Sequence, residues 1–220
     1  GIPENNLPIP NAAEWELKAQ RSKTSALLTL CHMEPSPRAV QIVSNVLLPN
    51  YGWKHQYTGT KYPETEMSFR ATLNGATFTD RGFKVNVNRI EKRIEVVFDS
   101  SKCDKRHVEW LTSVGRRVGL GDIVVRPYWG FSDLFSKVGT KLINCFYVQA
   151  ETKREAGKEY FHYNKVLMLK SVNIDKFLDC IEQGKIYVDF DARTGHNHGT
   201  KFRIKYQDIP LVYDSVTQII

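Results

Sequence analysis

Glu16 and Lys18 stand two apart in the run Trp15-Glu16-Leu17-Lys18. On a β-strand, alternate side chains leave the same face. The spacing therefore predicts a carboxylate and an ammonium side by side, with Leu17 turned into the core. A carboxylate can hold a hard cation such as Mg²⁺, and an adjacent ammonium can orient or help deprotonate a water. That pair is the least equipment needed to hydrolyse a phosphodiester. The same spacing also describes any solvated strand face, so it does not decide the matter alone. A second metal-binding oxygen is expected upstream. Five positions before Glu16 stands Asn11, whose amide oxygen can ligate a metal but brings no negative charge. Glu14 is the nearest true carboxylate and would share the face of Glu16 if the strand began that early.

A second group of chemistry-bearing residues lies late in the chain, in Asp191-Ala192-Arg193-Thr194-Gly195-His196-Asn197-His198-Gly199-Thr200-Lys201-Phe202-Arg203. An arginine can bond guanine O6 and N7 in bidentate fashion, and an aspartate can accept from cytosine N4. Asp191, Arg193, His196 and Arg203 are the candidate base contacts, and Lys201 is a candidate phosphate contact. Other readings compete. His196 and His198 form a metal pair only with a third ligand, Asp189 and Asp191 can be a solvated strand face, and a Gly-rich loop can simply connect two strands. Further phosphate-contact candidates are Lys153, Arg154 and Lys158, and Arg116 and Arg117, which equally suit a helix C-terminus. Tyr51, Trp53, Tyr57 and Tyr62 could line a nucleic-acid surface or fold onto the core.

Composition narrows the classes. The 220 residues carry 31 Lys and Arg against 24 Asp and Glu, a net charge of +7 that suits a polyanionic partner. Cys31, Cys103, Cys145 and Cys180 form no C-x-x-C pair, which removes zinc-ribbon and thioredoxin readings and leaves buried thiols in a reducing cytoplasm. No apolar run approaches the roughly 20 residues of a membrane span. The opening GIPENNLPIP lacks the parts of a signal peptide and reads as the interior of a longer protein. Gly119-Leu120-Gly121 lacks the Lys-Ser/Thr of a phosphate-binding loop and reads as a turn.

Residues 1–11 read as extended, and strands over 14–21 and 25–32, joined by Ser22-Lys23-Thr24, predict a hairpin that carries the Glu-x-Lys pair. A helix is expected over 37–46, a long loop over 49–65, and strands over 67–73, 82–88 and 93–98. Asp104 is placed to cap a helix over 105–118. A strand at 123–127, a helix at 131–140 and strands at 142–151 and 160–169 follow. Asn173 caps a helix over 174–183, then come a strand at 185–191, a polar loop at 192–200, a strand at 201–206 and an apolar tail. Strands and helices without regular alternation predict a single α+β domain of mixed α/β content spanning 1–220.

The run PNAAEWELKAQRSKTSALLTLCHMEP resembles the catalytic segment of the MvaI/BcnI-type restriction endonucleases, relatives of the strand-nicking mismatch-repair protein MutH. FDARTGHNHGTKFRIKY resembles the DNA-reading region of the same family, and INCFYVQAETKREAGKEYFHYN extends the likeness more weakly. The resemblance implies a restriction-endonuclease-like core with a central mixed sheet flanked by helices. It also implies a type II site-specific deoxyribonuclease of the prokaryotic cytoplasm. Such an enzyme is Mg²⁺-dependent, monomeric and specific for duplex DNA of the form CC–centre–GG. Glu16 falls on a metal ligand, Lys18 on the catalytic lysine, and Asn11 on a metal-binding Asp. That last departure implies an inactivating substitution or a natural loss of function. A non-catalytic DNA-binding module, a MutH-like nicking protein and an RNA-processing enzyme are the alternatives.

Overall fold

The computed structural model describes residues 10–22 and 24–220. Most of the extended segment expected at 1–11, and Lys23 of the polar link, lie outside them. In chain order the strands are β1 (Trp15–Arg21), β2 (Leu28–His32), β3 (Trp53–Lys54), β4 (Met67–Leu73), β5 (Arg81–Asn88), β6 (Arg93–Cys103), β7 (Tyr128–Gly130), β8 (Asn144–Glu155), β9 (Lys158–Val172), β10 (Ile186–Arg193), β11 (His196–Asn197), β12 (Lys201–Ile204) and β13 (Tyr213–Gln218). The α-helices are α1 (Leu48–Tyr51), α2 (Val108–Val118), α3 (Phe131–Lys141) and α4 (Ile174–Glu182). The content is α+β, as expected. No helix among the described residues is long and apolar enough to cross a membrane.

The chain forms two compact units. The first gathers the residues up to Cys31, Ser132–Cys180 and Ile204–Ile220. Its sheet runs β1-β8-β9-β13 and is mixed: β1 lies parallel to β8, and the other pairs are antiparallel. The expected hairpin does not form. β1 takes its partner from a strand some 130 positions away, Trp15 opposite Asn144 through Arg21 opposite Ala150. β8 and β9 form one long hairpin whose turn, Ala156-Gly157, has both residues at positive φ. That is the two-residue geometry whose twist matches the flanking strands. In α4, Asn173 Oδ1 accepts from Lys176 N at 3.1 Å, so the expected cap is in place.

The second unit comprises His32–Phe131 and Ile181–Arg203. It holds an antiparallel sheet β5-β6-β7 and a sheet in which β12, β10, β4 and β3 are neighbours, with β11 folded back on β10. Its core is aromatic: Phe69 meets Phe83 and Phe190 edge-on at 5.5 Å, and Trp129 meets Phe202 at 5.3 Å. Buried Trp129 donates to Met33 O at 2.9 Å, so its N–H is satisfied. Asp104 accepts from Arg106 N at 3.0 Å and starts the turn leading into α2, and Gly119 at φ +80° ends that helix.

Several local expectations shift. The helix expected at 37–46 breaks at Gln41, whose φ of +50° separates a short turn at Arg38–Val40 from a wide helical turn at Val43–Leu47. Residues 123–127 form no strand: the strand is β7, and before it Pro127 O accepts from Val96 N at 2.8 Å. The loop expected at 192–200 contains the end of β10 and all of β11. Within 49–65, Tyr51 is buried and Trp53 packs 5.5 Å from Phe69, while Tyr57 is exposed. Tyr51 belongs to the core, and half-buried Trp53 packs at its edge.

Candidate active site

β1 does not present the face its sequence suggests. Leu17 is 52% exposed and Glu16 only 2%. The correction has a physical cause. Trp15, on the same face as Leu17, stacks on Phe146 of β8 with ring centroids 4.3 Å apart. Trp15 thus finds cover on the outer side, where Leu17 stays exposed, and the charged residues turn inward. Glu16 and Lys18 do share a face: Lys18 Nζ lies 2.8 Å from Glu16 Oε1. Lys141, the last residue of α3, brings a second ammonium to 3.6 Å from the same oxygen. Glu16 Oε2 is buried and has no partner among the described residues. A buried carboxylate oxygen without a donor costs free energy unless something occupies it.

Asn11 reaches this strand through a tight reversal. Ala12 and Trp15 exchange both backbone hydrogen bonds at 2.9 Å, with Ala13 at φ +51° between them. Asn11 Oδ1 then accepts from Leu17 N at 3.2 Å. Its side chain therefore lies beside the Glu16–Leu17 peptide. Glu14 falls in the reversal, exposed and off the strand, so it does not share the face of Glu16.

The groups around Glu16 are neutral or cationic. Burial pushes the Cys31 and Cys145 thiols up to about 12, although nearby lysines pull the other way. Burial also raises the Tyr147 phenol to about 12 and Tyr213 well above its ordinary value. All four stay protonated at neutral pH and are not candidate bases. Glu16 is left as one carboxylate facing two ammoniums, an arrangement with room in its charge balance for an anionic phosphate. For a hard cation, the oxygen chemistry fits: Glu16 Oε2 is an orphaned donor and Asn11 Oδ1 a neutral one. No cluster of three or more acidic, His or Cys ligands occurs among the described residues. The set holds one negative charge, so binding should be weak.

The late segment forms a surface of the second unit. Asp189, Asp191 and Arg193 alternate with buried Val188, Phe190 and Ala192 on β10. Opposite Asp191 and Asp189 on β4 stand Arg70 and Thr72. Asp191 Oδ1 lies 2.8 Å from Arg70 Nε, and its other oxygen 4.0 Å from Lys201 Nζ. Asp189 takes Arg203 Nη1 at 3.0 Å and the Thr72 hydroxyl at 2.7 Å. Arg193 pairs with Glu66 at 3.0 Å and lies over the Tyr62 ring at 4.9 Å. The fold thus brings Asp191, Lys201 and Arg203 together and sets Arg193 at their margin. His196 sits apart on exposed β11, its ring 6.4 Å from that of His198. Glu34 ties this loop down, accepting from Thr200 N at 2.6 Å and Asn197 Nδ2 at 3.1 Å.

Sequence reasoning missed Lys141, Arg70 and Glu34. Lys141 had no local signal, being a lysine in the last turn of a helix. Arg70 sits in an alternating strand as any solvated residue does. Glu34 lies in a Glu-Pro whose sequence carries no sign of a role.

The model of the MvaI/BcnI restriction endonuclease family matches residues 1–213. The chain belongs to that family. The fold agrees with two solved structures of restriction endonuclease MvaI, both at 23% sequence identity. The first, MvaI with its cognate DNA substrate, superposes with a TM-score of 0.73 over 99% of this chain and 83% of the other. The second, MvaI in the absence of DNA, gives 0.60 over 96% and 80%. No curated protein matches the chain significantly. The mixed sheet expected for this family is the four-stranded one that carries β1 and Glu16. The two other sheets of this MvaI/BcnI family member are those described for its second unit.

Proposed function

We propose that this MvaI/BcnI family member is a type II endonuclease that hydrolyses a phosphodiester in duplex DNA at a short CC–centre–GG sequence. The observation that carries the proposal is Glu16: a buried carboxylate with one oxygen held between Lys18 and Lys141 and the other left without a donor. Glu16 and the side chain at position 11 would hold Mg²⁺. Such an ion supplies Lewis-acid polarisation of the phosphoryl oxygen and lowers the pKa of a bound water.

The chain's own groups do the rest. Lys18, fixed by Glu16, orients the attacking water and offsets charge that develops on the phosphate. Lys141 adds a second positive charge on the same side of Glu16. Asp191, Arg193, His196 and Arg203 read base edges, while Lys201 holds a phosphate. Lys153, Arg154 and Lys158, on the exposed hairpin of β8 and β9, supply further phosphate contacts. The enzyme acts as a monomer in a prokaryotic cytoplasm.

Asn11 favours a second reading, a sequence-specific DNA-binding module with lost catalysis. A binding selection on randomised duplexes, followed by Mg²⁺-dependent cleavage of the selected sequence, separates the two. Enrichment of a CC–centre–GG duplex with cleavage by an Asn11→Asp form supports the nuclease. Enrichment without cleavage by either form supports the binding module.

A further inference from the structure

Beside the base-reading face, the second unit has a recess of about 170 Å³ bounded by Trp53, Arg70, Thr72, Thr79, Asp80 and Arg81. At roughly 30 Å³ per water, that is the volume of about six waters. Its floor is an arginine in an unusual setting. The Arg81 guanidinium lies 4.2 Å over the Trp53 ring and 5.5 Å from that of Trp110. Stacking of this kind satisfies the flat faces of the group and leaves its in-plane N–H donors to find partners. They are poorly supplied. Nε is buried and has no partner among the described residues. The adjacent carboxylate, Asp80, approaches Nη1 only to 3.7 Å, too long for a hydrogen bond.

Asp80 is also committed elsewhere. Its Oδ2 takes both Arg106 Nη2 and His107 Nε2 at 2.8 Å. One carboxylate thus answers to two guanidiniums and an imidazole. The remaining walls are suited to an anion. Arg70 lines the recess with a half-exposed side chain. Thr79 Oγ1 accepts from Phe83 N at 3.1 Å, which leaves its own O–H to donate.

We infer that this recess is a phosphate site, and that its occupant is a backbone phosphate of the bound duplex. A fork of N–H donors with a hydroxyl beside it fits phosphate oxygens, and Arg–phosphate bonds of this kind are the strong ones. The position gives it a purpose. Arg70 and Thr72 stand directly across from Asp191 and Asp189, so a phosphate held here fixes the duplex against the side chains that read its bases. This assignment rests on the proposal that the same face reads DNA.

The test uses the whole protein without divalent metal. Inorganic phosphate is titrated while tryptophan fluorescence is followed, with Trp53→Phe assigning the signal. Affinity for a non-cognate duplex is then measured against salt for the unaltered protein, Arg81→Gln and Arg81→Lys. The site predicts that phosphate quenches Trp53 fluorescence and that Arg81→Gln weakens this response about tenfold or more. It also predicts that the salt dependence of duplex binding in Arg81→Gln flattens by about one released ion. Arg81→Lys should keep the salt slope while losing part of the phosphate response. A phosphate response with an unchanged duplex slope would assign the recess to free phosphate and overturn the backbone assignment. No phosphate response in the unaltered protein overturns the site altogether. Absence of Mg²⁺-dependent cleavage bears on the nuclease proposal and leaves both readouts intact.

Discussion

Two polar surfaces of this molecule are built on opposite terms. Around Glu16 the groups are few and buried, and one oxygen is left over. On the β12-β10-β4 face the groups are many and partly exposed, and the acids already have partners: Asp191 with Arg70 and Lys201, Asp189 with Arg203 and Thr72. The difference teaches what each surface is prepared to do. A buried group with an unmet oxygen is strained toward a ligand, and it pulls that ligand into one position. A paired, wetted face holds its donors and acceptors in register and can exchange partners at little cost when base edges arrive.

If that contrast is right, the two surfaces break differently. In an Asn11→Asp background, Glu16→Gln should lower Mg²⁺-dependent cleavage by about 10³-fold or more while duplex affinity without metal changes little. Comparable losses in both quantities would erase the distinction. Lys141→Met should cost less, about 10²-fold in cleavage rate, again with affinity retained. On the paired face the effects invert. Arg203→Ala should cost about 1–3 kcal/mol of discrimination against a mismatched base pair, read from competition between duplexes. Cleavage at saturating DNA should fall far less.

A third network supplies a control that neither surface explains. Glu95 is buried and takes Asn86, Arg93 and Arg126 as partners. Burial pushes its carboxyl up, but hydrogen bonds from Asn86 and Arg126 and the Arg126 charge more than offset that, so it lies below its ordinary value of 4.5. A depressed carboxylate contributes stability that is present above the ordinary value and lost as pH falls through the folded value. Glu95→Gln should therefore be less stable by about 2 kcal/mol at neutral pH. The gap to the unaltered protein should close as the pH drops below 4.5, measured by denaturant unfolding. Cleavage and binding per folded molecule should not move. The smallest effect concerns the thiols. With Cys31, Cys145 and Cys180 buried, a thiol reagent at neutral pH should label Cys103 first and the others only on unfolding.

How much of this was legible in the sequence divides along the same line. The strict alternation of Phe83-Lys84-Val85-Asn86-Val87-Asn88 predicted a strand, and β5 covers it. The caps at Asp104 and Asn173 were local signals and hold. The pairing of Glu16 with Lys18 followed from the period of a strand, but which way the pair faced did not. Leu17 read as turned into the core because nothing local announces Phe146 on the outer side or Lys141 on the inner one. A recessed polar site inverts the usual inside-outside pattern, and functional strands are where such inversions are expected. The parallel pairing of β1 with β8 was out of reach for a related reason. A parallel neighbour needs a long crossover, and here His32–Phe131, the larger segment of the second unit, lies between the two strands in sequence.

The most direct measurement compares Mg²⁺-dependent cleavage of a CC–centre–GG duplex by the Asn11 chain, by Asn11→Asp, and by Asn11→Asp carrying Glu16→Gln. Restoring a carboxylate beside the Glu16–Leu17 peptide should raise cleavage by about 10²-fold or more, and losing Glu16 should abolish the gain. Equal, robust rates with Asn or Asp at position 11, or a gain that survives without Glu16, would contradict the assignment of this strand as the hydrolytic centre.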